Sequence, residues 1–214
     1  MKHLFTSEMR QRLAASRAIA TVTVRNIEDA KPLADALLAG GINAVEITMR
    51  TPAALQVMEI IAENYSEMLV MAGTVLTPIQ VRQVQDAGAT CAVAPGMNAR
   101  VLQAAIEAQL PFAPGIATPS EIEQALEFDC DILKFFPAES MGGLKYLKSM
   151  QAPYAHLDLR FIPLGGLTAE NAEDYLQEDI ILAVGGSWIA SESAITSGDW
   201  VGITQRANAV MQQS

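Results

Sequence analysis

The stretch AVEITMRTPAALQVMEIIAENYSEMLVMAGTV, residues 44–75, contains the pattern that decides the fold. Two apolar runs, residues 44–49 and 68–75, lie on either side of a helix-length segment rich in Ala, Glu and Ile. Runs that are apolar at nearly every position are typical of strands covered on both faces. A strand, a helix and a second strand in this order indicate two parallel strands joined by a right-handed crossover.

The same alternation continues along the whole chain, with further helices expected around residues 4–15 and 200–212. Thr-Pro pairs at 51–52, 77–78 and 118–119 predict helix starts, because Thr caps a helix and Pro suits its first position. The predicted strands are residues 18–24, 44–49, 68–75, 91–94, 111–115, 132–136, 160–164 and 180–184.

Two closures fit eight parallel strands: an open, doubly wound sheet or a barrel. Most of the predicted strands end at Gly or Pro, which favours the barrel. No GxGxxG motif follows the first strand, which argues against an open dinucleotide-binding sheet. We therefore predict an α/β fold, a (β/α)8 TIM barrel with an extra N-terminal helix, as a single domain over residues 1–214.

The composition excludes several classes of protein. The chain has 214 residues, of which 50% are hydrophobic and 18% charged, and a net charge of −10. This is a globular composition, and its acidic balance argues against a nucleic-acid partner, which requires clustered Lys and Arg. No apolar stretch is long enough for a membrane span, and no signal peptide is expected, so we predict a cytoplasmic protein. Two histidines and two cysteines make a His-based metal site or a Ser-His-Asp triad improbable.

Polar residues inside apolar strands are the candidates for chemistry, because barrels carry their active sites at the carboxyl ends of the strands. Lys134 lies within a predicted strand, where burial disfavours the charged ammonium and a neutral amine can attack a carbonyl. Strand alternation places Glu46, Thr48 and Arg50 on one face, so Glu46 is a candidate general acid/base and Arg50 a candidate carboxylate ligand. Structural ion pairs would explain the same residues.

Two glycine pairs end the predicted seventh and eighth strands, Gly165-Gly166 and Gly185-Gly186, the second followed by Ser187. Bare backbone N–H groups bind phosphate, and barrels often place a phosphate site after strands seven and eight. Tight turns that need a positive φ would explain glycine equally well.

The motifs together resemble one family, the 2-keto-3-deoxy-6-phosphogluconate (KDPG) aldolases, which also act on 4-hydroxy-2-oxoglutarate (KHG). The resemblance runs in order from about residue 19 to residue 188. It rests on VEITMRT (45–51), AGTVL (72–76), APG (94–96), PGIAT (114–118), LKFFPAE (133–139), GG (165–166) and GGSW (185–188).

The resemblance implies a class I aldolase on a (β/α)8 barrel, a homotrimer that takes a small 2-keto acid and needs neither metal nor other cofactor. Lys134 would form the Schiff base and Glu46 would be the general acid/base. The implied substrate ligands are Arg50 and Thr74 for the carboxylate, Pro95 and Phe136 for the pocket wall, and Gly165, Gly166, Gly186 and Ser187 for the phosphate.

Two positions depart from the family pattern. Leu164 stands where the family has a threonine before the Gly-Gly pair, so a hydroxyl is missing there. The first strand lacks the family's usual proline and ends in Arg25, which could touch an anionic substrate or lie on the surface. An aldolase for an unphosphorylated 2-keto acid, a phosphosugar isomerase or epimerase on the same barrel, and a catalytically silent phosphate-binding barrel stay open as alternatives.

Overall fold

The computed structural model describes residues 5–212, in which parallel strands alternate with helices. The strands are β1 (Ala18–Val22), β2 (Ala44–Thr48), β3 (Leu69–Gly73), β4 (Cys91–Val93), β5 (Phe112–Ala113), β6 (Gly115–Ile116), β7 (Ile132–Phe135), β8 (Arg160–Pro163) and β9 (Val184–Gly186). The helices are α1 (Ser7–Ser16), α2 (Ala30–Ala39), α3 (Ala54–Asn64), α4 (Pro78–Asp86), α5 (Ala99–Glu107), α6 (Pro119–Leu126), α7 (Gly143–Gln151), α8 (Ala172–Leu176), α9 (Glu192–Thr196) and α10 (Trp200–Gln212). Short 3-10 helices cover Ile27–Asp29, Glu139–Met141 and Ala152–Tyr154.

All strand pairs are parallel, which confirms the predicted α/β class. Six strands form one sheet in the order β5-β4-β3-β2-β1-β9, and three form a second in the order β6-β7-β8. The two sheets meet at Pro114, which separates β5 from β6 and has no N–H for the ladder. On the other side, single bridges join Phe161 to Ile181 and Leu164 to Gly185.

The predicted eighth strand is wrong in position. Residues 180–184 were expected, but β9 begins at Val184 and contains Gly185 and Gly186, which therefore do not follow the strand as a turn. These glycines are required by close approach and not by a positive φ. A Cβ on Gly185 would lie 2.6 Å from Cγ of Leu164, and one on Gly186 would lie 1.8 Å from the Trp188 ring.

Two of the three Thr-Pro helix starts are confirmed. Thr77 caps α4 in a reciprocal capping box with Gln80, and Thr118 accepts a hydrogen bond from the backbone of Glu121 at the start of α6. The start at residues 51–52 is wrong, because Thr51 donates instead to the carbonyl of Val24 and α3 begins at Ala54. Helix α1 lies before β1, where an N-terminal helix was predicted; the first residue of that prediction, Leu4, lies outside the described residues.

The core has two layers, because both faces of each strand are covered. One face packs against the helices, as Val45 and Ile47 of β2 do. The other face contributes to a smaller group, called here the inner cluster. The inner cluster consists of Phe5, Leu13, Ile19, Ala44, Leu69, Met71, Cys91, Val93, Ala113, Ile132, Ile162, Leu164 and Ala183.

Strand alternation carries the inner face from apolar to polar residues toward the carboxyl ends of the strands. In β2, Ala44 belongs to the inner cluster, and Glu46 and Thr48 follow it at intervals of two. In β7, Lys134 follows Ile132 in the same way. Because successive side chains in a strand point to opposite faces, this spacing directs Glu46 and Lys134 toward the same interior.

Within residues 5–212, no helix combines the length and the apolar character that a membrane span requires.

Candidate active site

The central feature of the interior is a buried ion pair between Lys134 and Glu46. Lys134 Nζ lies 3.0 Å from Glu46 Oε1, and the two residues are 4% and 1% exposed. Neither charge could be buried alone at acceptable cost, so each side chain makes burial of the other possible. The Lys134 Nζ also lies 5.4 Å from the centroid of the Phe136 ring. A primary amine is thus held beside a carboxylate that can take up or return its proton.

The Glu46 carboxylate is fixed by its neighbours on both adjacent strands. Thr21 of β1, which pairs in register with Glu46, has its Oγ1 3.4 Å from Glu46 Oε2. On the other side Gly73 of β3 leaves the space that the carboxylate fills, because a Cβ there would lie 2.2 Å from Oε1. Glycine in AGTVL therefore determines where the carboxylate can lie.

A second group of polar side chains lies next to the ion pair. Thr48 donates to the carbonyl of Val22 at 3.0 Å, and its Oγ1 is 3.0 Å from that of Thr23. Arg50 Nε donates to Thr74 Oγ1 at 3.3 Å. Arg50 has no carboxylate partner among the residues that the structure describes, so its guanidinium is available to an anion.

Thr74 has an unusual backbone for a β-branched residue. Its φ is +59°, in the left-handed region that such residues rarely adopt. This conformation follows directly after Gly73 and places the Thr74 hydroxyl against Arg50. Backbone strain of this kind clusters at functional sites.

A cavity of about 360 Å³ joins these groups to the glycines at the strand ends, a size typical of small-molecule sites. It is lined by Thr21, Thr23, Glu46, Thr48, Arg50, Lys134, Phe136, Leu164, Gly165, Gly166, Leu167, Gly186, Ser187, Ser191 and Glu192. Eight of the ten residues predicted for the site line this one cavity.

The other two predicted residues lie outside the lining. Thr74 contacts the lining residue Arg50, from which its hydroxyl accepts a hydrogen bond. Pro95 lies against the neighbouring strand, where a Cβ on Gly115 would be 2.3 Å from its carbonyl carbon. Gly115 therefore lets the APG and PGIAT segments approach closely.

The glycine loop after β8 lines the same cavity as the ion pair. Gly165 and Gly166 have φ values of +95° and +84°, so the left-handed backbone that glycine permits is used here. Leu164, which precedes them, packs over Gly185 in the inner cluster and also lines the cavity. Ser187 adds a hydroxyl to the lining of the same cavity.

Five lining residues were not predicted: Thr21, Thr23, Leu167, Ser191 and Glu192. Thr21 and Thr23 could have been found, because they alternate with apolar residues in β1 and the segment after it. Glu192 is found only in three dimensions, since it begins α9 and is brought to the cavity by chain packing. Its Oε1 lies 2.5 Å from Nε of Arg25, which does not itself line the cavity.

Both cysteines have thiols that stay protonated at neutral pH. Burial raises the pKa of Cys91 to about 12, and burial together with the charges of Asp131 and Asp129 raises that of Cys130 to about 12. In the described part of the chain, no group of three His, Cys, Asp or Glu side chains is placed to hold a metal ion.

Comparison with known proteins identifies the family. The family model described as "Aldolase: KDPG and KHG aldolase" matches residues 9–206. The chain belongs to this family. The protein is accordingly an aldolase, a carbon–carbon lyase, and the isomerase or epimerase considered from the sequence is set aside.

Individual relatives agree over almost the full length of the aldolase. It is 41% identical over 196 residues to the 2-dehydro-3-deoxy-phosphogluconate aldolase of Treponema pallidum (strain Nichols), covering 92% of each chain. A solved KDPG aldolase from Legionella pneumophila, with pyruvate captured as a covalent carbinolamine intermediate, superimposes with a TM-score of 0.89 at 39% identity, covering 94% of this chain and 97% of that one. The Zymomonas mobilis ZM4 enzyme, solved with 3-phosphoglycerate, gives 0.87 at 36% identity, covering 95% of each.

Proposed function

We propose that this protein is a class I aldolase that cleaves KDPG to pyruvate and glyceraldehyde 3-phosphate through a Schiff base on Lys134. The observation that carries the proposal is the buried pair of Lys134 and Glu46, which are 3.0 Å apart and both line the cavity. Family membership supports it, as does the covalent carbinolamine of the Legionella relative. KHG, which would give pyruvate and glyoxylate, is a second substrate of the same site.

The first step needs a neutral amine, which Glu46 supplies. Transfer of the Lys134 proton to the carboxylate 3.0 Å away leaves a lone pair on Nζ. This lone pair attacks C2 of the substrate, the carbonyl oxygen takes up a proton, and a carbinolamine forms. Loss of water from the carbinolamine gives an iminium ion, whose positively charged nitrogen makes C2 electrophilic.

The iminium then accepts the electrons of the bond that breaks. A base removes the proton of the C4 hydroxyl, the C3–C4 electron pair forms the C2=C3 double bond, the C=N π pair moves to nitrogen, and the aldehyde leaves. The remaining enamine takes a proton at C3, and water hydrolyses the iminium to release pyruvate and regenerate the amine. Glu46 performs these proton transfers, directly or through one water.

The substrate carboxylate would lie at Arg50 and Thr74. Arg50 has a guanidinium without a carboxylate partner among the described residues, and planar guanidinium groups bind carboxylates through two parallel hydrogen bonds. Phe136 and Pro95 would shape the wall near the reacting carbons. Pro95 does so from outside the cavity lining, through the segment packed on Gly115.

The phosphate would lie at Gly165, Gly166, Gly186 and Ser187. Backbone N–H groups of a left-handed glycine loop can converge on an anion, and the Ser187 hydroxyl adds a donor. These groups and the reacting lysine line the same cavity.

One observation favours the unphosphorylated substrate as a second candidate. Leu164 supplies no hydroxyl beside the glycine loop, and Glu192 lines the cavity with a carboxylate that neutralises the charge of Arg25. Both features weaken phosphate binding relative to a site with a threonine and no acid. The relative efficiency on KDPG and KHG decides between the two.

The two sheets are best interpreted as arcs of one eight-stranded barrel with β5 and β6 as parts of a single strand. Support comes from Pro114 as the sole residue between them and from the bridge between Leu164 and Gly185. The family resemblance adds a homotrimer, supported by exposed apolar side chains at Leu76 and Ile79. Light scattering at micromolar concentration should give three times the chain mass; a monomer would contradict the trimer. The cytoplasmic location stays a prediction from the sequence.

Borohydride trapping tests the central proposal. Incubation with pyruvate and borohydride should add one pyruvate-derived mass to the peptide that contains Lys134, and Lys134→Ala should abolish both labelling and pyruvate release. Lys145→Ala is the matched control, because this lysine is exposed on α7 and should leave both unchanged. Labelling at a different lysine, or turnover by Lys134→Ala, would refute the assignment.

A further inference from the structure

The LKFFPAE motif ends in Glu139, a residue that the proposed mechanism does not use. Glu139 begins the 3-10 helix after β7, and its backbone N–H donates to the carbonyl of Gly165 at 3.0 Å. The preceding N–H, of Ala138, donates to the carbonyl of Leu164 at 2.7 Å. The end of the motif is therefore hydrogen-bonded directly to the glycine loop that lines the cavity.

The side chain of Glu139 has its own partner, on a different element. Its Oε1 accepts a hydrogen bond from the hydroxyl of Tyr175 at 2.5 Å. Tyr175 lies in α8 and is 2% exposed, so its ring is fixed by packing. Burial and this hydrogen bond both raise the pKa of Tyr175, so the hydroxyl stays a donor throughout the physiological range.

The hydrogen-bonded carboxylate lies against two glycines. A Cβ on Gly166 would be 2.7 Å from Cβ of Glu139, and a Cβ on Gly143 would be 3.2 Å from Glu139 Oε1. Both glycines have a positive φ, as does Gly165. A glycine loop has many accessible conformations, and here the side chain of Glu139 restricts them by contact and by hydrogen bonding.

We propose that Glu139 and Tyr175 are positioning residues that hold the Gly165-Gly166 loop in its phosphate-binding conformation. The inference rests on the proposed function, since it concerns the phosphate end of that site. Neither side chain lines the cavity, so both act through the loop. Without the hydrogen bond between Glu139 and Tyr175, phosphate binding must also order the loop, and the conformational entropy lost in doing so lowers the affinity for phosphate. The ion pair of Lys134 and Glu46 is unchanged.

The test compares two substrates in Tyr175→Phe, which removes the hydroxyl and keeps the ring. We expect KM for KDPG to rise about five- to tenfold, with kcat for KDPG and all constants for KHG within twofold of the wild type. Tyr154→Phe is the matched control, because Tyr154 also donates to a glutamate, Glu123 at 3.0 Å, and neither residue lines the cavity. Tyr154→Phe should change neither substrate's constants.

Variants of Glu139 separate the hydrogen bond from the charge. Glu139→Gln keeps an oxygen that accepts from Tyr175 and should retain the wild-type KM for KDPG. Glu139→Ala should raise it as Tyr175→Phe does, and the double variant Glu139→Ala/Tyr175→Phe should be no worse than either single one. Circular dichroism checks that each variant folds. If Glu139→Ala does not fold, Tyr175→Phe and Glu139→Gln still test the proposal.

Equal loss on both substrates, or no loss in Tyr175→Phe, would overturn the positioning role. Additive effects in the double variant would also overturn it, since independent effects do not act through one hydrogen bond. The wild type distinguishes this failure from failure of the proposed function. If the wild type releases no pyruvate from KDPG and is not trapped by borohydride, the proposed function itself is wrong.

Discussion

Gly73→Ala is the substitution by which the position of the Glu46 carboxylate is best tested. The new Cβ would lie 2.2 Å from Glu46 Oε1, where ordinary contact begins at 3.4 Å, so the oxygen must move by about 1.2 Å. Gly73 does not have a positive φ, so alanine fits the backbone and the substitution acts through space alone. A misplacement of about 1 Å can reduce a rate about 10²-fold, which corresponds to about 2.7 kcal/mol in the activation barrier.

The assay is coupled pyruvate release from KDPG, together with borohydride trapping of pyruvate. We expect kcat to fall about 10²-fold while the folded variant still forms the Schiff base, because the three atoms nearest the new methyl group all belong to Glu46. Gly96→Ala is the control: a Cβ there meets nothing within 4 Å, and it should be fully active. If Gly73→Ala were as active as Gly96→Ala, the exact position of the Glu46 carboxylate would not matter to the reaction.

Four further predictions concern the mechanism, the substrate preference and the buried thiol. Glu46→Gln should slow turnover about 10²–10⁴-fold with the Schiff base still trapped, and an unchanged rate would make Glu46 a structural partner. Glu192→Gln should lower KM for KDPG by up to about fivefold at low salt and leave KM for KHG unchanged. Leu164→Thr should raise the ratio of kcat/KM for KDPG to that for KHG by up to about tenfold. Burial raises the pKa of the Cys91 thiol from 9.0 to about 12. The contribution of this thiol to the free energy of unfolding is therefore present below pH 9 and is lost as the pH rises toward 12. Urea unfolding of the wild type and of a Cys91→Ala variant across this pH range measures that contribution.

Much of the fold was predictable because apolar periodicity is a local property. All eight predicted strands overlap observed ones, the eighth only at Val184, since a strand covered on both faces is apolar at nearly every residue. The eighth was misplaced because β9 contains two glycines, which have low strand propensity, while the apolar residues 180–182 precede it. Glycine was selected there by the neighbouring Leu164 and Trp188, which no local pattern reveals.

The sequence by itself determined which side chains carry chemistry: a lysine and a glutamate in otherwise apolar strands must be paired or reactive, because burial of a lone charge is too costly. It also determined, through a period of two, that Glu46 and Thr48 share a face. Only the tertiary structure decided that Lys134, 88 residues away along the chain, lies 3.0 Å from Glu46. It alone revealed that Gly73 leaves room for the carboxylate, that Glu192 reaches the cavity and that Tyr175 binds Glu139. These are distances between elements remote in sequence, and they are fixed by how strands and helices pack, not by the residues on either side of each position.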